Sequence, residues 1–491
     1  MAVKLVYSDI ALGAAEDAQV TVADRESFSA PGLLVSGVPS VAVATLEPGG
    51  WGLSHDYKVK GSQVFALWSQ AKSGGDCVFA SPPAIALDFT KQYTSTGLTF
   101  RFSPESVDYC RKISVAWYQN GTVKERGTYY PESAFYTLEN TVEAFDRIVI
   151  TLEETSLPNR RAKLEYVAIG IVREFEGNEL TGARFVHEID LISDTVPINV
   201  MDASFHSNRA VDYVFQKKQP VEAFNGDQLI GVYYIERGER TGARDYTIEC
   251  QDAIGTLDLD DYLGSLWFED TPVSTILEDV IGGAFEIDLD PAYANSTLRG
   301  YIAPGSKREA LQQVAFALGA CVDTSGTAKI KVFPPPVGAG KEIPEAETYI
   351  GGKVDTADTV TEVTVTAYVI FDERPGDNEE YIEFNGVKYR YYTETKHAYN
   401  PDIVASDLAN KVKFTKCYLC NLSNAQARAN DILAYYMRRD TYKAKHIVDG
   451  QQVGDRAIMT LPWGGTVGGN VVKMTVSVTG LTVSDTEFLI D

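Results

Sequence analysis

The stretch Ser306-Lys307-Arg308-Glu309-Ala310-Leu311-Gln312-Gln313-Val314-Ala315-Phe316-Ala317-Leu318-Gly319-Ala320 reads as the clearest helix in the chain. Ser306 and Glu309 stand at capping-box spacing, where each side chain accepts a hydrogen bond from the other residue's backbone N–H. Leu311, Val314, Ala315 and Leu318 line one face before Gly319. Ala320 to Asp323 and Lys329 to Phe333 then flank Ser325-Gly326, so the segment predicts a helix packed on a hairpin, a small α+β insert. Pro334 to Pro336, with Gly338 and Gly340, punctuate a boundary after it.

Working outward, Thr271-Pro272 supplies an N-cap and first-turn proline for a short helix carrying Ile276, Leu277, Val280 and Ile281 and ending at Gly282-Gly283. Before it, a β-rich region runs from about Glu174 to Leu263, with Gln228 to Glu236 and Tyr246 to Gln251 paired across a Gly238 to Gly242 turn. From Val3 to about Ile171 short alternating runs (Leu98 to Phe102, Ile113 to Tyr118, Val123 to Tyr130, Arg147 to Leu152) are cut by turn residues. Asn120-Gly121 sits between two of them as a hairpin signal, and the region reads as a β-sandwich. On the C-terminal side, Val360 to Phe371 has sustained strand character with Val363, Val365, Ala367 and Val369 on one face. Ile403 to Val412 predicts a short helix, and Ser423 with Gln426 a second capping box heading a helix with Ala429, Ile432, Leu433, Tyr436 and Met437 on one side. Arg456 to Leu489 returns to strands.

The chain has 491 residues, more than one hydrophobic core organises, so several domains are expected. Net charge is −24, which argues against a surface built to neutralise phosphates. The charge is lopsided: residues 1 to 170 hold 15 basic and 19 acidic residues, the rest 29 and 49, so the C-terminal part carries the field. Six cysteines scattered through a long chain lack the density of a disulfide-stapled module. Neither a secretion signal nor a run of 18 apolar residues is present, so synthesis in the cytoplasm without membrane insertion is expected.

Motifs that could carry chemistry mostly fail on their own requirements. Gly340-Lys341 is followed by Glu342, and Pro335 stands where a P-loop has its leading glycine, so a linker is the better reading. Cys417 and Cys420 form a lone CxxC with no second pair to complete a zinc site; buried structural cysteines are favoured. The histidines at 55, 187, 206, 397 and 446 are isolated from any catalytic motif. The acidic runs Asp258 to Asp261 and Asp377 to Glu380 lack the ordered ligands of a calcium loop and read as solvated faces. No catalytic, metal or cofactor residue is therefore nominated. Trp51, Tyr57 and Trp68 are the candidate contacts for carbohydrate or a partner, weighed against core packing of the sandwich.

Three groups of residues carry a family resemblance. Pro197 to Leu263, with Gln219-Pro220-Val221, Leu229-Ile230-Gly231-Val232-Tyr233-Tyr234 and Tyr246-Thr247-Ile248-Glu249-Cys250-Gln251-Asp252, resembles the first tube-forming domain of phage baseplate hub proteins. Thr271 to Phe333, above all Gly300-Tyr301-Ile302 and the helix quoted first, resembles the helix-and-hairpin insert of hubs from Firmicutes phages and related contractile particles. The first 170 residues are similar to discoidin-like, galactose-binding jelly rolls, on Trp51-Gly52-Leu53, Pro82 to Phe89, Ser95 to Phe100 and Ile148 to Leu152. The resemblance implies a mainly β, multidomain chain: a jelly-roll sandwich over 1–172, a first tube-like β domain over 173–265, the α+β insert over 266–335, and a second tube-like β domain with helical decorations over 336–491.

It also implies a non-enzymatic structural role. Such hubs form a homotrimeric ring in the virion's tail baseplate, between the tail tube or distal tail protein and a tip or spike, with a channel for DNA passage. Many relatives add a peptidoglycan-cleaving domain after the hub, and none is expected here. Two other classes remain in play: an adhesin recognising cell-wall glycans through the N-terminal sandwich, and a cell-wall hydrolase, for which the sequence offers no paired carboxylates, zinc triad or Cys/His constellation.

Overall fold

Strand pairing dominates the computed structural model, which describes residues 3–11, 13–36, 65–102, 108–207, 215, 217–403, 410–478 and 482–491. The chain is mainly β and multidomain, with few helices. Its contacts divide it into two units, Val6–Glu174, and Phe175–Asp491 with the first five residues.

In the N-terminal unit, β1 (Gln19–Val22), β2 (Ala84–Arg101), β3 (Cys110–Gln119), β4 (Thr122–Tyr129) and β5 (Phe135–Thr155) form an antiparallel sheet in the order β1-β2-β5-β3-β4. Tyr166–Ala168 adds to β2, and Leu67–Lys72 pairs with Arg161–Leu164 apart from this sheet. Alternation puts Ile113, Val115 and Trp117 of β3 and Ile148, Ile150 and Leu152 of β5 into one core with Phe100, Phe102 and Phe145. Asn120 and Gly121 both take positive φ (50° and 76°), so the two-residue turn twists with its strands and fixes the β3–β4 hairpin.

In the second unit, β6 (Leu180–Glu188), β7 (Val200–His206), β8 (Pro220–Asn225), β9 (Gln228–Arg240) and β10 (Asp245–Gln251) form an antiparallel run in the order β8-β9-β10-β7-β6. The chain then leaves the sheet for three helices, α1 (Ala253–Asp258), α2 (Val273–Ile281) and α3 (Lys307–Leu318), and the hairpin β11 (Cys321–Asp323) and β12 (Ile330–Phe333). Ile287–Leu289 pairs with the other side of β12. Two short strands, β13 (Lys341–Ile343) and β14 (Lys353–Thr356), touch the sheet again before a second excursion. That excursion comprises β15 (Glu362–Ile370), β16 (Val387–Tyr399), β17 (Lys411–Phe414) and α4 (Ala425–Met437). The closing strands β18 (Asp440–Ile447), β19 (Arg456–Thr460), β20 (Thr466–Val478) and β21 (Thr482–Ile490) complete the sheet in the order β20-β21-β18-β14, with β19 on β20 and β13 on β19.

Both excursions share one core. Ile276, Leu277, Val280 and Ile281 of α2, Leu311, Val314 and Ala315 of α3, Val363, Val365 and Ala367 of β15, and Ala429 and Ile432 of α4 are buried together. The α3 capping box is present: Ser306 Oγ accepts from Glu309 N at 3.2 Å, and Glu309 Oε2 accepts from Ser306 N at 3.1 Å. Gly319 ends the helix at φ 74°.

Three local expectations are corrected. Helix α2 begins after Pro272, because Thr271 Oγ1 is turned back to Glu269 O (3.2 Å) and caps nothing. The Ser423/Gln426 box does not form. Asn424 is the N-cap of α4, Ser423 is drawn to the Asn421 side chain, and Gln426 Nε2 donates to His397 O at 3.0 Å. Lys411 and Val412, read as the end of a helix, lie in β17, parallel to β15; residues 404–409 lie outside the described residues.

Candidate functional site

Strands β6 and β20 pair antiparallel from Ala183↔Val478 to Glu188↔Lys473, joining the two β runs edge to edge into one sheet. Alternation gives the sheet two unlike faces. Phe185, His187, Met201, Phe205, Ile248, Met474, Val476 and Phe488 are buried on one side. The other carries ion pairs: Arg184–Asp202 (3.5 Å), Lys473–Glu188 (2.7 Å), Lys443–Glu487 (3.2 Å), Lys443–Asp355 (3.5 Å) and Arg237–Glu239 (2.8 Å). Register explains three of them, since directly paired residues share a face: Arg184↔Asp202, Glu188↔Lys473 and Lys443↔Glu487 are cross-strand partners, while Lys443–Asp355 is diagonal and Arg237–Glu239 lies along one strand. Arg184, Lys443 and Lys473 are thus each neutralised in place.

At the end of the sheet nearest α1, a buried polar node ties the strands to the helical layer. Asp252 caps α1, accepting from Gly255 N (3.0 Å) through one oxygen and from Thr324 Oγ1 (2.6 Å) through the other. Asn199 Nδ2 donates to Thr324 Oγ1 (3.1 Å) and Asp323 Oδ1 (3.3 Å), while its Oδ1 accepts from Glu188 N (3.0 Å). Asp323 also accepts from Ser325 N and Oγ and pairs with Lys331 at 2.8 Å. His187 is hydrogen-bonded to the Tyr233 hydroxyl beneath the sheet.

Burial decides most of the charge states here. It pushes Asp252 up to about 6, partly offset by the hydrogen bonds from Thr324 and Gly255. His187 is pushed down to about 4, again chiefly by burial. Burial also opposes the Asp323 carboxylate, but the Lys331 ammonium and the Ser325 donors outweigh it and hold Asp323 below its ordinary value. At neutral pH the node therefore holds a neutral imidazole, a carboxyl raised toward neutrality and an ion pair, all buried among protein partners.

The residues nominated from sequence fall elsewhere. Trp51 and Tyr57 lie outside the described residues. Trp68 is half-buried in the strand Leu67–Lys72, its ring edge-on to Phe28 (5.5 Å), tilted to Phe65 (5.5 Å), with Lys163 Nζ 5.3 Å from its centroid. Lys163 is itself paired with buried Asp108 at 2.9 Å. Cys417 and Cys420 are buried free thiols in the turn before α4, and Cys417 Sγ donates to Gln313 O (3.3 Å). Lys341 opens β13. His206 and His397 pair with Asp245 (2.8 Å) and Glu362 (2.7 Å), and His446 is buried against Thr486. In the acidic runs, Asp260 pairs with Lys218 (2.7 Å) and Glu379 accepts from Gly376 N (2.7 Å). Among the described residues no group of His, Cys, Asp or Glu is arranged to hold a metal ion, and no helix is long and apolar enough to cross a membrane.

Sequence reasoning missed Asn199, Asp252 and Arg428. Arg428 is buried on α4, donates to Ile192 O (3.0 Å) and Asp431 (3.3 Å), and lies 5.2 Å from the Phe316 ring centroid. Its signal was present: Arg428 and Ile432 are four positions apart, which places a cation on the apolar face of the helix.

No family model and no curated protein matches the chain. Among solved structures, it is similar to a tail protein from Neisseria meningitidis MC58, at 13% identity and TM-score 0.46, covering 64% of this chain and 93% of that one. It is also similar to the 43 kDa tail protein of prophage MuSo2 from Shewanella oneidensis (8% identity, TM-score 0.44, 65% and 95% covered). A third is the prophage tail protein gp18 from Listeria monocytogenes EGD-e (8%, 0.41, 64% and 91%).

Proposed function

We propose that this chain is a structural, non-enzymatic hub subunit of a phage-type tail, which closes a three-fold ring with two sister copies between the tail tube and a tip or spike. The observation that carries the reading is the β6/β20 joint: two β runs, far apart in sequence, merge into a single sheet with one packed and one ion-paired face. In this reading the two runs correspond to the two tube-like β domains that the resemblance implies, and three copies would present six such domains to a tube. In this reading the ion-paired face borders the bore through which DNA passes. Arg184, Lys443 and Lys473 are each held by a carboxylate, so that face offers phosphate no free row of cations among these residues. The surplus of carboxylates beyond residue 170 adds repulsion. The rigid node at Asp252, Asn199 and Asp323 would keep the helical layer fixed to the ring.

In this reading the N-terminal unit contacts neighbouring baseplate proteins, a role in keeping with the discoidin-like, galactose-binding resemblance of its framework. Glycan recognition is the second reading from sequence. Among the described residues it gains no support, since Trp68 is packed against Phe28, Phe65 and Lys163. Native mass spectrometry and negative-stain microscopy of the purified chain test the proposal. A species of three times 53.8 kDa with a three-fold ring is expected, and a monomer at tens of micromolar would remove the reading.

A further inference from the structure

A groove of about 670 Å³ lies over the outward face of β12 and Ile287–Leu289, within the range of ligand-binding clefts. Strand alternation builds it: Ile330 and Val332 turn into the shared core, while Lys331 and Phe333 point the other way, beside Asp288, the register partner of Lys331. Phe333, Pro336 and Val453 give it apolar lining, the last from the loop before β19. Val337, next to Pro336 in the proline-punctuated stretch, is almost fully exposed, at 89%.

The charges in the groove are not balanced in use. Lys331 is committed to buried Asp323 and to Ser325 O, both at 2.8 Å. Lys341 reaches Asp449 (3.5 Å), and Arg456 is held by Asp491 (2.5 Å) and Gly338 O (3.1 Å). Each of the three cations has a carboxylate partner that does not line the groove, the exposed Lys341–Asp449 pair being the loosest, and Lys329, paired with Glu286 at 2.8 Å, also acts on Asp288. Asp288, Asp290 and Asp455 remain. Asp290 and Asp455 accept from Ala292 N and Gln452 N (both 2.8 Å), but among the described residues none of the three has an ion pair.

We propose that this groove docks a segment of a partner protein that carries both basic (lysine or arginine) and apolar side chains. The apolar floor takes one set of side chains and the three carboxylates take the other. The inference stands on this groove alone and is independent of the ring reading.

The test is selection of random dodecapeptides, displayed on phage, against the full chain with counter-selection on Ala339→Trp, which puts a larger side chain at an exposed position lining the groove. A consensus mixing basic and apolar residues is expected. The synthetic consensus peptide should bind about tenfold more weakly to Asp288→Lys than to the parent, and should lose affinity in raised salt. No enrichment over the counter-selection, an acidic consensus, or equal affinity for Asp288→Lys each overturns the proposal. Asp288 is exposed, so an unchanged melting temperature separates lost docking from lost fold.

Discussion

Glu188 and Lys473, 285 positions apart in the chain, form a 2.7 Å ion pair across the strand pair that joins the two β runs. Both side chains are more than a third exposed, so the pair itself contributes less than about 1 kcal/mol; the backbone ladder beneath it matters more. Lys473→Ala should therefore shift the urea midpoint only slightly. Thr475→Pro should cost about 3 kcal/mol or more, because β20 is paired on both sides, with β6 and β21, and has no free edge to receive a proline. Equal midpoints for the two variants would show that the joint does not hold the sheet together.

Acid titration should separate two buried groups of opposite sign. Asp252 is raised to about 6 from 3.8, so the native state keeps a proton that the unfolded chain releases, and its contribution to stability falls as pH rises from about 4 to 6. His187 is lowered to about 4 from 6.5, so its contribution is complete above 6.5 and is lost as pH falls toward 4. The two slopes oppose each other in the parent. Asp252→Asn, which can still cap α1, should become less stable on acidification from pH 6.5 to 4, and His187→Gln more stable from pH 6 to 4. Urea midpoints across that range decide it, and profiles identical to the parent's would reject both assignments.

Gly319 and Arg428 couple α3 to α4. A Cβ on Gly319 would stand 2.7 Å from Arg428 Nη1, at a φ of 74° that already disfavours side chains. Gly319→Ala should cost about 1–2 kcal/mol. Arg428→Ala should cost about 1–3 kcal/mol through the lost bond to Ile192 O. In the double variant part of the Gly319 penalty should vanish, since its steric partner is gone; strict additivity in the cycle would show that the two do not interact.

The capping box offers a smaller, cleaner test. Ser306→Ala removes the acceptor for Glu309 N and should cost about 1 kcal/mol, with Ser306→Thr close to the parent. Thermal melts of the pair, run side by side, measure the difference.

Elements whose signals are local were legible. The helix from Lys307 to Leu318, its cap, its Gly319 stop and the Asn120-Gly121 hairpin follow from bonds between residues a few positions apart. The Ser423/Gln426 box failed for the opposite reason. Gln426 is 29 positions from His397, and only the packing of α4 on β16 brings that carbonyl within reach to compete with the local cap. Asp252 looked like one more carboxylate in an acidic chain. Its role appears only where the β11–β12 turn places Thr324 against it.

By itself, then, the sequence determined a mainly β chain, the helix beginning at Lys307 and its hairpin, and a strongly acidic C-terminal part, because alternation, capping and charge are properties of neighbouring residues. Which strands meet was decided by tertiary structure. The β6/β20 joint, the node around Asp252 and the groove lined by the Gln451–Asp455 loop all need partners more than 70 positions apart, and no local pattern encodes a register between strands that only the closing of the core brings together.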